Sequence, residues 1–166
     1  MSCSCTYNSQ LTFAHCEFGL PSVMSREVRS TVRIMRPGVV ALVLAGRYTG
    51  RKGIVIKSYD DGSKEKPYGH ALIVGIDRYP RRIVRRMGKK RMESRCKIKP
   101  FVKIINYNHL LPTRHMVNIP FDTKLINKNA LMDKSLRRKA RLEAKLKLQQ
   151  RYKSRENPWL FSKLRF

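Results

Sequence analysis

The densest chemistry in the sequence is cationic. Arg81–Lys99 holds ten basic residues (Arg81, Arg82, Arg85, Arg86, Lys89, Lys90, Arg91, Arg95, Lys97 and Lys99) and one acid, Glu93, a balance of +9 in 19 residues. Like charges packed this closely repel one another and cannot form a core, so the stretch is expected to contact phosphates. Lys134–Lys153 is the second such stretch, with nine basic residues and one acid, Glu143, or +8 in 20. Its arginines and lysines include Arg137, Arg138, Lys139, Arg141 and Lys145. Aromatic residues lie beside cations or amides: Tyr48 next to Arg47, Tyr79 next to Arg78, Tyr107 between Asn106 and Asn108, and Tyr152 next to Arg151. Rings of this kind stack on unpaired bases while cations hold the backbone, or else they plug the core.

Nothing in the sequence points to catalysis. Asp60-Asp61 is a pair of carboxylates, but Gly62 follows it and makes it a turn. His70, His109 and His115 have no cysteine or acidic partner at ligand spacing, and His70 opens a strand as a packing or phosphate-facing residue. Gly46–Gly53 is rich in glycine, but it lacks a Gly-Lys-Ser/Thr ending and leads into a strand rather than a helix, so it is not a P-loop. Cys3, Cys5, His15 and Cys16 are spaced too tightly for a structural zinc site, and the three cysteines read as incidental thiols. The expectation is a chain that is not an enzyme and needs no cofactor or metal.

Composition sets the same limits. The 166 residues carry 37 Lys+Arg and 11 Asp+Glu, a formal charge of +26, with 42% hydrophobic residues. A compact chain so charged repels itself unless it meets an acidic partner. Nucleic acid is the first candidate and an anionic membrane surface the second, while the apolar content excludes a disordered polycation. The longest apolar run, Val39–Ala45, is seven residues, too short to span a bilayer. Residues 1–24 contain no Lys or Arg, one acid and three of the four cysteines. This composition shift reads as a boundary, and the segment resembles neither a secretory signal nor a transit peptide. The thiols are read as free, in a reducing compartment.

The elements that must position these groups are short strands. Arg36-Pro37-Gly38 is a turn, Val39–Leu44 a strand, Gly46–Gly53 a tight connection, and Ile54–Ile56 the start of a second strand ending before Asp60-Asp61-Gly62. His70–Ile76 and Phe101–Ile105 read as the third and fourth strands, and Met116–Ile119 as the fifth. Close spacing without a βαβ alternation predicts a small barrel or sandwich. Lys134–Lys153 reads as a helix that Asp133 caps. Leu136, Ala140, Ala144 and Leu148 form a drifting stripe, with Leu142 and Leu146 on another side. That pattern predicts a helix lying between nucleic-acid segments rather than one packed on a core.

Pro37–Ile56 resembles a KOW motif, a strand, glycine-rich loop and strand unit of SH3-like barrels that bind RNA or the transcription machinery. Pro67–Pro80, Met87-Gly88-Lys89-Lys90, Asn106–Arg114 and the terminal Leu164-Arg165-Phe166 resemble, in unbroken order, the eukaryotic-type ribosomal protein L twenty-seven family of the large subunit. The resemblance runs from about residue 34 to the end. It implies a mainly β fold with α: an SH3-like β-barrel over 34–120 with a basic insertion at 81–99, then a linker, basic helix and tail over 121–166. Residues 1–33 would be a disordered extension. Either Met24 is the initiator or the first 23 residues are a lineage-specific addition.

The implied partners are ribosomal RNA and neighbouring large-subunit proteins, with no membrane and no homo-oligomer. The implied place is the cytosolic ribosome, reached through the nucleus and nucleolus. The alternative is a KOW-type transcription or RNA-processing factor. Beyond the two basic stretches, Arg47, Tyr48, Arg51, Lys52, Arg78, Arg114 and Arg165 are expected at RNA. In the tail, Trp159 and Phe161 are expected on protein, and Arg165 and Phe166 at RNA.

Overall fold

The computed structural model describes residues 33–165. The expectations for residues 1–32 and for Phe166 lie outside them. Arg33, grouped with the extension, ion-pairs with Asp60 at 3.2 Å.

Five strands form one antiparallel sheet: β1 Val39–Val43, β2 Lys52–Tyr59, β3 His70–Arg78, β4 Lys99–Asn106 and β5 Leu110–Met116, in the order β4-β3-β2-β1-β5. Among the described residues three α-helices accompany it, α1 Lys89–Cys96, α2 Lys134–Lys153 and α3 Pro158–Phe161, with 3-10 turns at Tyr107–His109 and Asn129–Leu131. The expected closed SH3-like barrel is therefore corrected to a mixed α and β fold around an open sheet. Among the described residues β4 pairs only with β3 and β5 only with β1, so the sheet keeps two edges. The sequence carries the reason: β4 contains Pro100 and β5 contains Pro112. Proline lacks an N–H to donate and belongs on edge strands, whereas a closed barrel has no edges.

The strands read as continuous apolar runs because both faces of the sheet are buried. Val40, Ile54, Leu72, Val74 and Val102 point to one core; Ala41, Val43, Val55, Ile73 and Phe101 point to the other. Register breaks at Val39/Ala41, Val55/Lys57 and Ile76/Arg78 mark bulges, which bend strands. Gly53 and Gly75 stand opposite each other across β2 and β3. A Cβ on Gly75 would lie 2.3 Å from the Phe101 ring, and one on Gly53 2.4 Å from Ile73. The two glycines leave the space that these larger side chains fill.

The first core is covered by α2, which corrects the expectation of a helix standing free of the protein. Ala140, Ala144 and Leu148 are fully buried in the same cluster as Leu72 and Val102, while Leu142 and Leu146 are exposed. Two alanines allow close approach to the sheet, so a narrow stripe suffices. Asp133 occupies the N-cap position without a side-chain capping bond. The fifth strand lies earlier than Met116–Ile119, because Thr113, Arg114 and His115 are polar residues of an edge strand with one wet side.

Candidate nucleic-acid interface

β4, the β1–β2 connection and the first turns of α2 enclose a groove of about 510 Å³. It brings together Arg47, Tyr48, Lys99, Arg137 and Arg141, five residues expected at RNA from separate parts of the chain. Lys66, Lys103 and Lys128 join them. Two acids share the groove, and each is already occupied: Asp77 by Lys99 at 3.3 Å and Glu65 by Lys128 at 3.2 Å. The other five cations have no ion-pair partner among the described residues. A cleft lined by one sign of charge concentrates the opposite sign. Tyr48 lies flat on Phe101, with centroids 4.0 Å apart, and the Arg47 guanidinium sits 5.9 Å from its ring. Arg137 donates from Nε to the Leu131 carbonyl at 3.0 Å, fastening the turn that precedes α2.

The basic insertion leaves β3 at Arg78 and returns at Lys99, which face each other in the sheet. Its centre is a helix, α1, which the sequence reading missed because no apolar face announces it. None of the eight residues of α1 is buried. The insertion is tied at its neck, where the Arg81 amide donates to the Arg95 carbonyl at 3.0 Å and Arg95 Nη1 to the Arg82 carbonyl at 2.9 Å. Arg81, Arg82, Arg85, Arg86, Lys89, Lys90, Arg91 and Lys97 are exposed. Of the ten cations only Lys99 has an ion-pair partner among the described residues. A second groove, of about 840 Å³, lies between this insertion, the last turns of α2 and α3. Arg81, Arg82 and Lys97 reach it from one side, Lys153 and Arg155 from the other, so the two basic stretches meet there.

Lys52 does not belong with these residues. It is 1% exposed. Its ammonium donates to the carbonyls of Trp159 at 2.5 Å and Ser162 at 2.9 Å and lies 4.0 Å from the centroid of the Trp159 ring. Burial pushes its pKa below the usual lysine value. The cation fastens the C-terminal tail to β2 and is unavailable to phosphate. Leu160 and Phe161 are buried beside it, and Trp159 stacks on His115 at 4.0 Å. Signals for this anchor were present in the tail, whose tryptophan and phenylalanines are costly to leave in water.

The interleaved tyrosines have protein partners. Tyr79 is buried, accepts the Lys52 amide at 2.8 Å, and carries the Arg51 guanidinium 5.7 Å from its ring. Burial raises its pKa. Tyr152 meets Phe161 edge to face, and burial raises its pKa too. Tyr107 donates to Asp60 at 2.7 Å; burial and that carboxylate push its pKa up to about 12. His70 is fully buried between Tyr59 and Tyr68, which settles it as a packing residue. Arg78, Arg114, Arg138, Lys139 and Arg165 are exposed but line neither groove, and Lys145 is half-buried outside both.

Lys66, Lys103, Lys128 and Arg155 lie outside the dense clusters on which the sequence expectation rests. Lys103 was the most accessible of them to prediction, as a lone charge in the apolar strand Pro100–Ile105. Among the described residues, no three His, Cys, Asp or Glu side chains form a group that could hold a metal ion. No described helix is long and apolar enough to cross a membrane. Residues 40–166 match the model of the Ribosomal L27e protein family, and the chain belongs to that family.

Proposed function

We propose that this member of the Ribosomal L27e family is a structural component of the large ribosomal subunit that binds ribosomal RNA and supports subunit assembly and translation. Its place is the cytosolic ribosome, after assembly in the nucleolus, beside other large-subunit proteins. The contacts are assigned to the insertion from Arg81 to Lys99, to the groove between β4 and α2, and to the exposed cations of α2. Arg51, Arg78, Arg114 and Arg165 flank them. Lys52 is withdrawn from the set and Tyr48 kept as a wall of the groove.

One observation carries the reading. α1 holds no buried residue, yet the insertion concentrates ten cations, nine of them without an ion-pair partner among the described residues. An eight-residue helix with no packed face is marginal in water. A polyanion would both neutralise it and hold it in place. Backbone contacts of this kind position a protein without reading bases, so little sequence preference is expected. The test is the salt dependence of RNA binding by the full chain. With eight cations on phosphates, the log–log slope is about −6 to −7, according to how much of the RNA is duplex. A slope near zero would refute the assignment.

A further inference from the structure

The 840 Å³ groove is more than a charged surface. Its wall is apolar and partly aromatic, formed by Ile83, Cys96, Tyr152 and Phe161. Gln149 offers an amide donor and acceptor within it. The rim is cationic, and of the two acids at its edge one, Glu156, is taken by Arg151. Duplex RNA presents phosphates, sugars and base edges but keeps its base faces stacked, and so leaves an apolar slot empty. An unstacked nucleotide uses all three parts: a flat base for the wall, base edges for the amide, and phosphates for the rim. The volume falls within the usual range of small-ligand pockets, about 300–1,000 Å³.

We propose that this groove between the insertion, the end of α2 and α3 receives a single unpaired nucleotide of RNA, with its base in the slot and its phosphates on the rim. The proposal rests on the RNA-binding reading above and deepens it. It accounts for the joint placement of two basic stretches around an apolar hollow, which phosphate neutralisation alone does not require.

The experiment compares two RNA hairpins bound by the full chain, one with a bulged 2-aminopurine and one fully paired. The expected result is a preference for the bulged hairpin of roughly tenfold or more, because stacking one base on an aromatic wall contributes about that much. Probe fluorescence should change on binding. Ile83→Trp fills the slot while keeping every cation, and should abolish the preference, so that the two hairpins bind alike. Gln149→Leu, which removes only the amide, should reduce the preference and guards against an Ile83→Trp chain that does not fold.

Equal binding of the two hairpins by the wild-type chain overturns the proposal but leaves the RNA-binding reading standing. Absence of binding to either hairpin overturns both. A preference that survives both substitutions places the bulge elsewhere and also overturns it. Alkylation of Cys96, in a chain with Cys3, Cys5 and Cys16 changed to Ser, adds an independent readout. Bulged RNA should protect the thiol. Protection by added ribosomal proteins but not by RNA would make the slot a protein-docking site instead.

Discussion

Besides the buried Leu160 and Phe161, one cation fastens the C-terminal tail, and a double-mutant cycle between Lys52 and Trp159 measures its share. Lys52 Nζ lies 4.0 Å from the centroid of the indole ring in a site that is 1% exposed at the lysine. A desolvated cation–π contact contributes about 2 kcal/mol. Trp159→Leu removes the ring but keeps the Trp159 and Ser162 carbonyls that Lys52 also binds. Lys52→Met keeps the stem and removes the charge. Its net effect is the difference between lost charged hydrogen bonds, about 1.5–3 kcal/mol each, and relief from burying an ammonium, several kcal/mol.

The cycle cancels those opposing terms and leaves the cation–ring coupling, expected at about 1–2 kcal/mol. Thermal unfolding of the RNA-free chain, followed by circular dichroism because the only tryptophan is altered, is the assay. Each kcal/mol shifts Tm by about 2–4 °C in a chain of this size. Additive effects, with coupling below about 0.3 kcal/mol, would refute the claim that the cation holds the tail through the ring.

Replacing Arg81, Arg82, Arg85 and Arg86 together by Ala should flatten the salt slope of RNA binding by about 3 units, and an unchanged slope would remove the insertion from the interface. Gly75→Ala should destabilise the chain by about 1–3 kcal/mol in denaturant unfolding, since the new methyl meets the Phe101 ring. Tyr107 binds its proton more tightly folded than unfolded, at about 12 against 10.0. Its contribution to stability is therefore complete below pH 10 and lost as pH rises through about 12. Tyrosinate absorbance of the folded chain should titrate late, because burial raises Tyr79 and Tyr152 as well, and Tyr107→Phe should remove the part of the signal near pH 12.

Four of the five strands were legible because buried strands leave unbroken β-branched runs, as in Val39–Val43 and His70–Ile76. β5 was misplaced because an edge strand with one wet side, Thr113–His115, does not look apolar. The open sheet was also written in the chain, at Pro100 and Pro112, but the glycine-rich connection before Ile54 pointed to a closed barrel and took precedence. α2 was seen as a helix and its packing was not: two alanines and a leucine bury no conspicuous area, and cations on the remaining sides hid the stripe. In the candidate interface, the dense insertion was visible as charge alone. The groove beside β4 was not, since it gathers Arg47, Lys66, Lys103, Lys128 and Arg141 across nearly a hundred residues, a fact of topology. Lys52 shows the converse, a cation whose type suggested phosphate while its place at the head of β2 buried it.

The central claim is that the protein is a fixed part of the large subunit. Quantitative mass spectrometry of large subunits, washed in high salt and sedimented, tests it most directly. The account predicts one copy per subunit, retained through the wash. Loss of the protein from washed subunits, with recovery on transcription or RNA-processing complexes, would contradict it.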